Sequence, residues 1–127
     1  MSPNQRQKLG KFGEDIALDF LKGKGYKILR RNYKTKLGEI DIIASDNATV
    51  CFIEVKTRDS ERFGLPVEAI SRFKQRQISK AALVYLKENK LFENRARFDV
   101  VSVMRLEGSQ KLDLIKNAFE LDSSFTY

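Results

Sequence analysis

Between residues 7 and 24 the apolar positions Leu9, Phe12, Ile16, Ala17, Phe20 and Leu21 recur every three or four places, the spacing of an amphipathic helix. Gly23 and Gly25 end that pattern. Residues 26–33 read as a strand carrying Tyr26, Ile28, Leu29 and Tyr33, with Lys27, Arg30 and Arg31 among them. Two β-rich runs follow, over 39–44 and 50–57, and the turn-forming spacer Ser45-Asp46-Asn47-Ala48-Thr49 predicts that they form a hairpin. Residues 58–66, rich in charge and containing Gly64 and Pro66, predict an exposed loop. Helical spacing returns over 67–89 through Ile70, Phe73, Ile78, Ala81, Ala82, Tyr85 and Leu86. A β-branched run over 97–104 surrounds Asp99, a shorter strand is predicted over 112–115, and a flexible tail from about 117. Helix, three strands, helix, strand and a last edge strand make one α/β domain over residues 1–127, a mixed sheet flanked by helices.

Composition narrows what such a domain can do. At 127 residues the chain has the size of a single domain, and no run of about 18 apolar residues is present to span a bilayer. The basic N-terminal residues have no apolar segment after them, so a cytoplasmic location without membrane attachment is expected. The single cysteine, Cys51, agrees with a reducing compartment and offers no cysteine-based zinc site. Twenty-four Lys and Arg against 17 Asp and Glu give a formal charge of +7. That bias suits nucleic acid, whose condensed counterions are released by basic side chains, but ribosomal proteins and anionic-membrane binders share it. The sharper fact is that histidine is absent. Ser-His-Asp and Cys-His catalysis, histidine-bound zinc and a histidine general base are all removed, so any catalysis must run on carboxylates and lysine.

The hairpin places those groups together. Strand alternation puts Glu39, Asp41 and Ile43 on one face and Ile40, Ile42 and Ala44 on the other. In the second strand Phe52, Glu54 and Lys56 share a face, with Cys51, Ile53 and Val55 opposite. With Asn47 and Ala48 at the tip, Ile43 stands across from Phe52 and Asp41 across from Glu54, their Cβ atoms about 5 Å apart. Opposed carboxylates destabilise a sheet unless a cation neutralises them. Oxygen donors without imidazole or thiolate select Mg²⁺ or Mn²⁺. Lys56, on the same face as Glu54, is suited to orient or deprotonate an attacking water or to steady charge developing on a phosphate. Glu14 would reach such an ion, directly or through water, if the first helix packs over the end of the hairpin.

These strings resemble a known signature. Gly38-Glu39-Ile40-Asp41-Ile42-Ile43-Ala44 followed by Phe52-Ile53-Glu54-Val55-Lys56-Thr57-Arg58 resembles the D…E-x-K pattern of the restriction-endonuclease-like superfamily. With Gly13-Glu14-Asp15 upstream, the chain is similar to the YraN-type family, which is grouped with Holliday-junction resolvase-like nucleases. The resemblance spans about residues 10–104, including the helix bearing Lys74, Gln77, Ala81 and Ala82 and the strand bearing Phe98-Asp99-Val100-Val101. It implies a restriction-endonuclease-like core with Asp41 and Glu54 as metal ligands, Lys56 as the catalytic lysine, and Glu14 as an accessory acid that also reaches the metal. Gln77 would be a further polar residue near the site. One departure is Ile40, where such proteins often carry proline. The function implied is a Mg²⁺- or Mn²⁺-dependent endonuclease on structured or branched DNA, working as a homodimer where strands are cut in pairs.

Plainer readings compete. Asp41, Glu54 and Lys56 could be a surface hairpin with one ion pair worth under about 1 kcal/mol, although the apolar run over 50–55 argues for a covered strand. Glu14 could serve only as a partner for a neighbouring base on its helix. Lys27, Arg30, Arg31, Lys34, Lys36, Arg58, Arg72, Lys74, Arg76 and Gln77 form either a nucleic-acid rim or a set of solubilising side chains. Glu39 and Asp99 are also candidates to approach the site, but a surface ion pair or turn hydrogen bond explains each about as well, and both stay outside the catalytic set. Cys51 reads as a small buried apolar residue. At the level of the whole chain, the alternative is a DNA-binding or complex-assembling module that keeps a nuclease fold without turnover.

Overall fold

The computed structural model describes residues 2–58 and 70–121. In chain order these form α1 (Pro3–Gly23), β1 (Lys27–Lys34), β2 (Glu39–Asp46), β3 (Thr49–Arg58), α2 (Arg72–Glu88), β4 (Ala96–Leu106) and β5 (Ser109–Phe119). The strands make one sheet in the order β1-β2-β3-β4-β5. Neighbours are antiparallel except β3 and β4, which run parallel. Parallel neighbours need a long crossover, and the chain through α2 supplies it. The result is the mixed α/β sheet with flanking helices that the patterning predicts.

Each helix covers one face. Ala17 and Leu21 of α1 pack with Ile42, Ala44, Cys51, Ile53, Val101 and Val103. Ile78, Ala81, Ala82, Tyr85 and Leu86 of α2 pack with Ile43, Val50, Phe52 and Phe98. Because successive residues of β3 enter opposite clusters, that strand is buried on both sides and reads as a nearly continuous apolar run. Full burial of one such isoleucine or phenylalanine contributes about 1.5–3 kcal/mol.

Both helix starts differ from the hydrophobic spacing because caps, which carry no periodicity, set them. At α1 the Ser2 hydroxyl accepts from Gln5 N while the Gln5 side chain accepts from Ser2 N, with Pro3 in the first turn, so the helix begins four residues before residue 7. At α2 Ser71 accepts from Lys74 N and the helix starts at Arg72. The predicted helical residues 67–69, and the predicted loop apart from Arg58, lie outside the described residues.

Three further expectations are corrected. Phe73 does not join the core; it is 70% exposed, because it lies well around the helix from the stripe headed by Ile78. Ile40 does not share the face of Ile42 and Ala44; it packs with Ile43 and Tyr33 under α2. The alternation slips where Asn32 of the adjoining β1 takes a left-handed backbone (φ 52°) between the paired positions Arg31↔Ile42 and Tyr33↔Ile40. Finally, the last strand runs from Ser109 to Phe119, beyond both its predicted ends and past residue 117, where the tail was expected. A register shift between Phe98 and Val100, with Asn117 at φ 53°, lets β5 continue past Ile115 until Phe119 stacks on Phe98.

Candidate functional site

The hairpin closes as its spacer predicts: Asp46 pairs with Thr49 around Asn47 and Ala48, and Ile43 pairs with Phe52. The ladder ends at Ile42↔Ile53, one step before Asp41 and Glu54. There the Asp41 carboxylate takes over the backbone's role, its Oδ2 accepting from Val55 N at 2.9 Å. Asp41 is thereby fixed beside the strand that carries Glu54. The Glu54 side chain is 12% exposed, with Oε1 at 3.9 Å from Lys74 Nζ. Its Oε2 is buried and accepts no hydrogen bond.

Close packing brings the helices to this end of the hairpin. A Cβ on Gly13 would overlap the Thr57 side chain, so glycine is what lets α1 settle on the end of β3 and carry Glu14 inward. Glu14 Oε1 lies 3.6 Å from Arg31 Nε, and Arg31 in turn bonds Asp15 at 2.6 Å. A Cβ on Gly38 would meet the Gln77 carbonyl, which seats the β1–β2 connection on α2. That connection is tied by Thr35, whose hydroxyl accepts from Leu37 N and Gly38 N and donates to Gly38 O.

Electrostatics mark the pair as strained while no cation is bound. Burial and then the Asp41 charge push the Glu54 carboxyl up to about 8, with a hydrogen bond to Asp41 adding to the rise and Lys74 and Lys56 opposing it. Burial beside Asp41 therefore disfavours the charged form of Glu54. Asp41 is also raised, by burial first, against the pull of the Val55 N–H and Lys74. Glu14 is raised by burial and by Asp41, with Arg31 pulling it down. Asp41 thus acts on both Glu54 and Glu14, and Glu39 adds its charge to Asp41 and Glu14.

The predicted residues are not all gathered. Asp41, Glu54 and Lys56 lie at the open end of the hairpin, with Glu14 within electrostatic reach of Asp41, but among the described residues no three carboxylate or thiolate side chains stand close enough to hold an ion together. Two carboxylates, one of them with an orphaned buried oxygen, still fit Mg²⁺, which commonly takes one or two carboxylates and keeps several waters. Glu14 stands one step back, held by Arg31.

In the basic rim, Arg31, Lys34, Lys36, Arg58, Lys74 and Gln77 lie toward this end, whereas Lys27, paired with Ser45, lies about 20 Å along β1 from Lys34. Arg30 lies over the Tyr33 ring at 5.1 Å, and Arg72 and Arg76 are exposed on α2. An open depression lined by Gln7, Gly10, Lys11, Glu14, Arg31 and Asn32 adjoins the site. Sequence reasoning placed Lys74 only in the rim, yet it reaches Glu54. The signal was there, since residue 74 is one helical turn before Ile78 on the inward stripe. Asp99, read as a surface or turn residue, is fully buried and bonded to Tyr26, Arg97 and Asn117 N, away from the carboxylate pair. Cys51 is a free, buried thiol pushed up to about 12 by burial.

A mixed sheet between two helices, with a carboxylate pair where a hairpin opens, is the α/β core of the restriction-endonuclease-like superfamily. Within it, the chain belongs to the Uncharacterised protein family UPF0102, whose model matches residues 13–103. It is similar to a UPF0102 protein of Geotalea daltonii, 49% identical over 93% of this chain and 94% of that one. A UPF0102 protein of Desulfosudis oleivorans is 51% identical over 92% and 94% of the two chains. Another, from Alkaliphilus oremlandii, is 47% identical over 89% and 98%. No helix among the described residues is long and apolar enough to cross a membrane.

Proposed function

We propose that this protein is a Mg²⁺- or Mn²⁺-dependent endonuclease that hydrolyses phosphodiester bonds in structured or branched DNA. The observation that carries the reading is the Asp41–Glu54 pair: adjacent, largely covered carboxyls, one of them with its ionised form disfavoured and presenting a buried oxygen with no partner. Such an arrangement costs stability in the empty protein and gains it once a hard cation binds. Bound there, the metal would acidify a water and neutralise charge on the scissile phosphate.

The chain's own groups have separable tasks. Asp41, oriented by the Val55 N–H, and Glu54 hold the ion. Lys56, close enough to favour the ionised form of Glu54, positions the attacking water and balances the phosphate's growing charge. Glu14 acts at one remove, orienting Arg31 toward the depression beside α1. Phe73, exposed in the first turn of α2 beside Arg72 and Lys74, offers an aromatic face on which an unpaired base at a branch point can stack. Paired cuts across a symmetric junction take two sites, so assembly of two copies on DNA belongs to the same proposal.

The test is cleavage of four-way junctions, flaps, linear duplexes and single strands by wild type and Glu54→Gln, with Mg²⁺ and with Mn²⁺. Metal-dependent cutting that falls by about a hundredfold or more in the variant is expected. Equal or absent cutting in both, with DNA binding retained, would transfer the assignment to a non-catalytic DNA-binding module.

A further inference from the structure

We infer that Lys74 is a stand-in counter-ion for the Asp41–Glu54 pair, displaced when a divalent cation binds and then free to take a phosphate of the substrate. The inference rests on the proposed metal site and adds to it a coupling between metal and DNA.

The geometry begins with the helix. Residue 74 shares the inward stripe of α2 with Ile78, Ala81, Ala82 and Tyr85, one turn nearer the N-terminus, so its stem is directed toward the sheet rather than into solvent. The Nζ stops 3.9 Å from Glu54 Oε1 with the side chain 39% exposed. That is a loose pairing held by charge, unlike the 2.6 Å contact between Arg31 and Asp15. Lys74 is also the cation whose charge acts on both carboxylates, and on Glu54 it outweighs Lys56, the lysine that sequence assigns to the pair.

A single ammonium cannot satisfy this pair. Glu54 Oε2 remains without a partner although Lys74 is beside Oε1. A dication between the carboxylates would supply what the lysine lacks, and it would repel the ammonium a few ångströms away. The four-carbon stem lets the head group move to solvent without disturbing the helix. Released, it joins Arg72 on the same exposed turn, where a phosphate diester is its natural partner. Metal and DNA would then strengthen each other's binding through this one side chain, as linkage requires.

The test is a calorimetric Mn²⁺ titration of wild type, Lys74→Met, Lys74→Arg and Glu54→Gln without DNA, each first checked for a cooperative thermal transition. Removing the resident cation should tighten Mn²⁺ binding roughly three- to fivefold in Lys74→Met, the scale of a partly exposed ion pair. Lys74→Arg, which keeps the competitor, should bind like wild type. In parallel, salt titrations of binding to a four-way junction should show the log–log slope reduced by about 0.9 in Lys74→Met when Ca²⁺ is present, and unchanged in EDTA. Mn²⁺ affinity equal to or weaker than wild type in Lys74→Met, or a slope reduced equally with and without Ca²⁺, overturns the inference. If wild type takes up Mn²⁺ that Glu54→Gln does not, such a result removes Lys74 alone. If wild type takes up none, the metal site itself falls and this inference with it.

Discussion

Asp99 on β4 is a buried carboxyl and Glu54 on the adjacent β3 a largely covered one, and they are treated in opposite ways. Asp99 has every acceptor filled: Oδ1 takes Arg97 Nε and Asn117 N, and Oδ2 takes the Tyr26 hydroxyl and Arg97 Nε. Arg97 then reaches Asp46 at 2.7 Å and donates to the Tyr26 oxygen. The network joins the hairpin tip, the entrance to β1 and the irregular end of β5, and nothing in it is left over. Glu54 sits beside a second carboxyl with one oxygen unpartnered and one loose lysine. A saturated buried acid is architecture; an unsaturated one next to another acid is held open for a ligand that the chain does not supply.

The hardest test of that contrast is stability. Asp99→Ala removes one of the two carboxylates on Arg97, leaves the Tyr26 hydroxyl without its acceptor and strands Asn117 N, so unfolding in urea should show a loss of about 3–5 kcal/mol. Glu54→Gln, which removes an acid from a crowded acidic pair, should leave the metal-free protein as stable as wild type or more so. Equal losses in the two variants would mean that the carboxylate pair is ordinary scaffolding.

The two regions also differ in how far the sequence disclosed them. Glu54 was legible because β alternation and a two-residue tip place Asp41 against it, and because a lysine two residues on shares its face. Local pairing rules suffice for a hairpin. Asp99 was not legible. Arg97 is two residues away on the same strand, but Tyr26, just before β1, and Asn117 of β5 reach Asp99 only when the sheet closes, and an aspartate in an apolar run carries no mark of whether it is paired. The same reason hid the length of β5, whose bulge at Asn117 is organised by Asp99. Lys74 lies between these cases, because helical phase aimed it inward while its charge suggested the surface.

A pH series separates the regions by sign. Glu54 is raised from an ordinary value of 4.5 to about 8 in the fold, so the fold binds its proton more tightly than the unfolded chain does. The stability this adds is complete below 4.5 and is lost as pH rises through about 8. Asp46 is held below its ordinary 3.8, first by its hydrogen bond from Arg97, so its contribution is present above that value and lost as pH falls through the folded one. Thermal unfolding without metal should therefore show wild type losing ground to Glu54→Gln between pH 4.5 and 8, and only the network side failing in acid. At pH 7, Mn²⁺ uptake should release a proton, detected as a dependence of the calorimetric heat on buffer ionisation, and this should fade above pH 8. A release that stays constant across that range would detach the proton from Glu54.

The smallest effect sets two lysines against each other. Lys116 lies 3.5 Å from Asp46 and is 56% exposed; Lys74 lies 3.9 Å from Glu54 and is 39% exposed. As ion pairs they are nearly alike, and by exposure each is worth under about 1 kcal/mol. Their acids differ. Asp46 is already satisfied by Arg97, so Lys116→Met should lower stability by no more than about 0.5 kcal/mol and leave Mn²⁺ affinity untouched. Lys74→Met takes away a cation from carboxylates that still need one, so its effect should appear in metal affinity instead. If both substitutions move Mn²⁺ binding by the same factor, the change is one of overall charge and the carboxylate pair has no special claim on its lysine; if only Lys74→Met does, local pairing outweighs the +7 field of the whole chain.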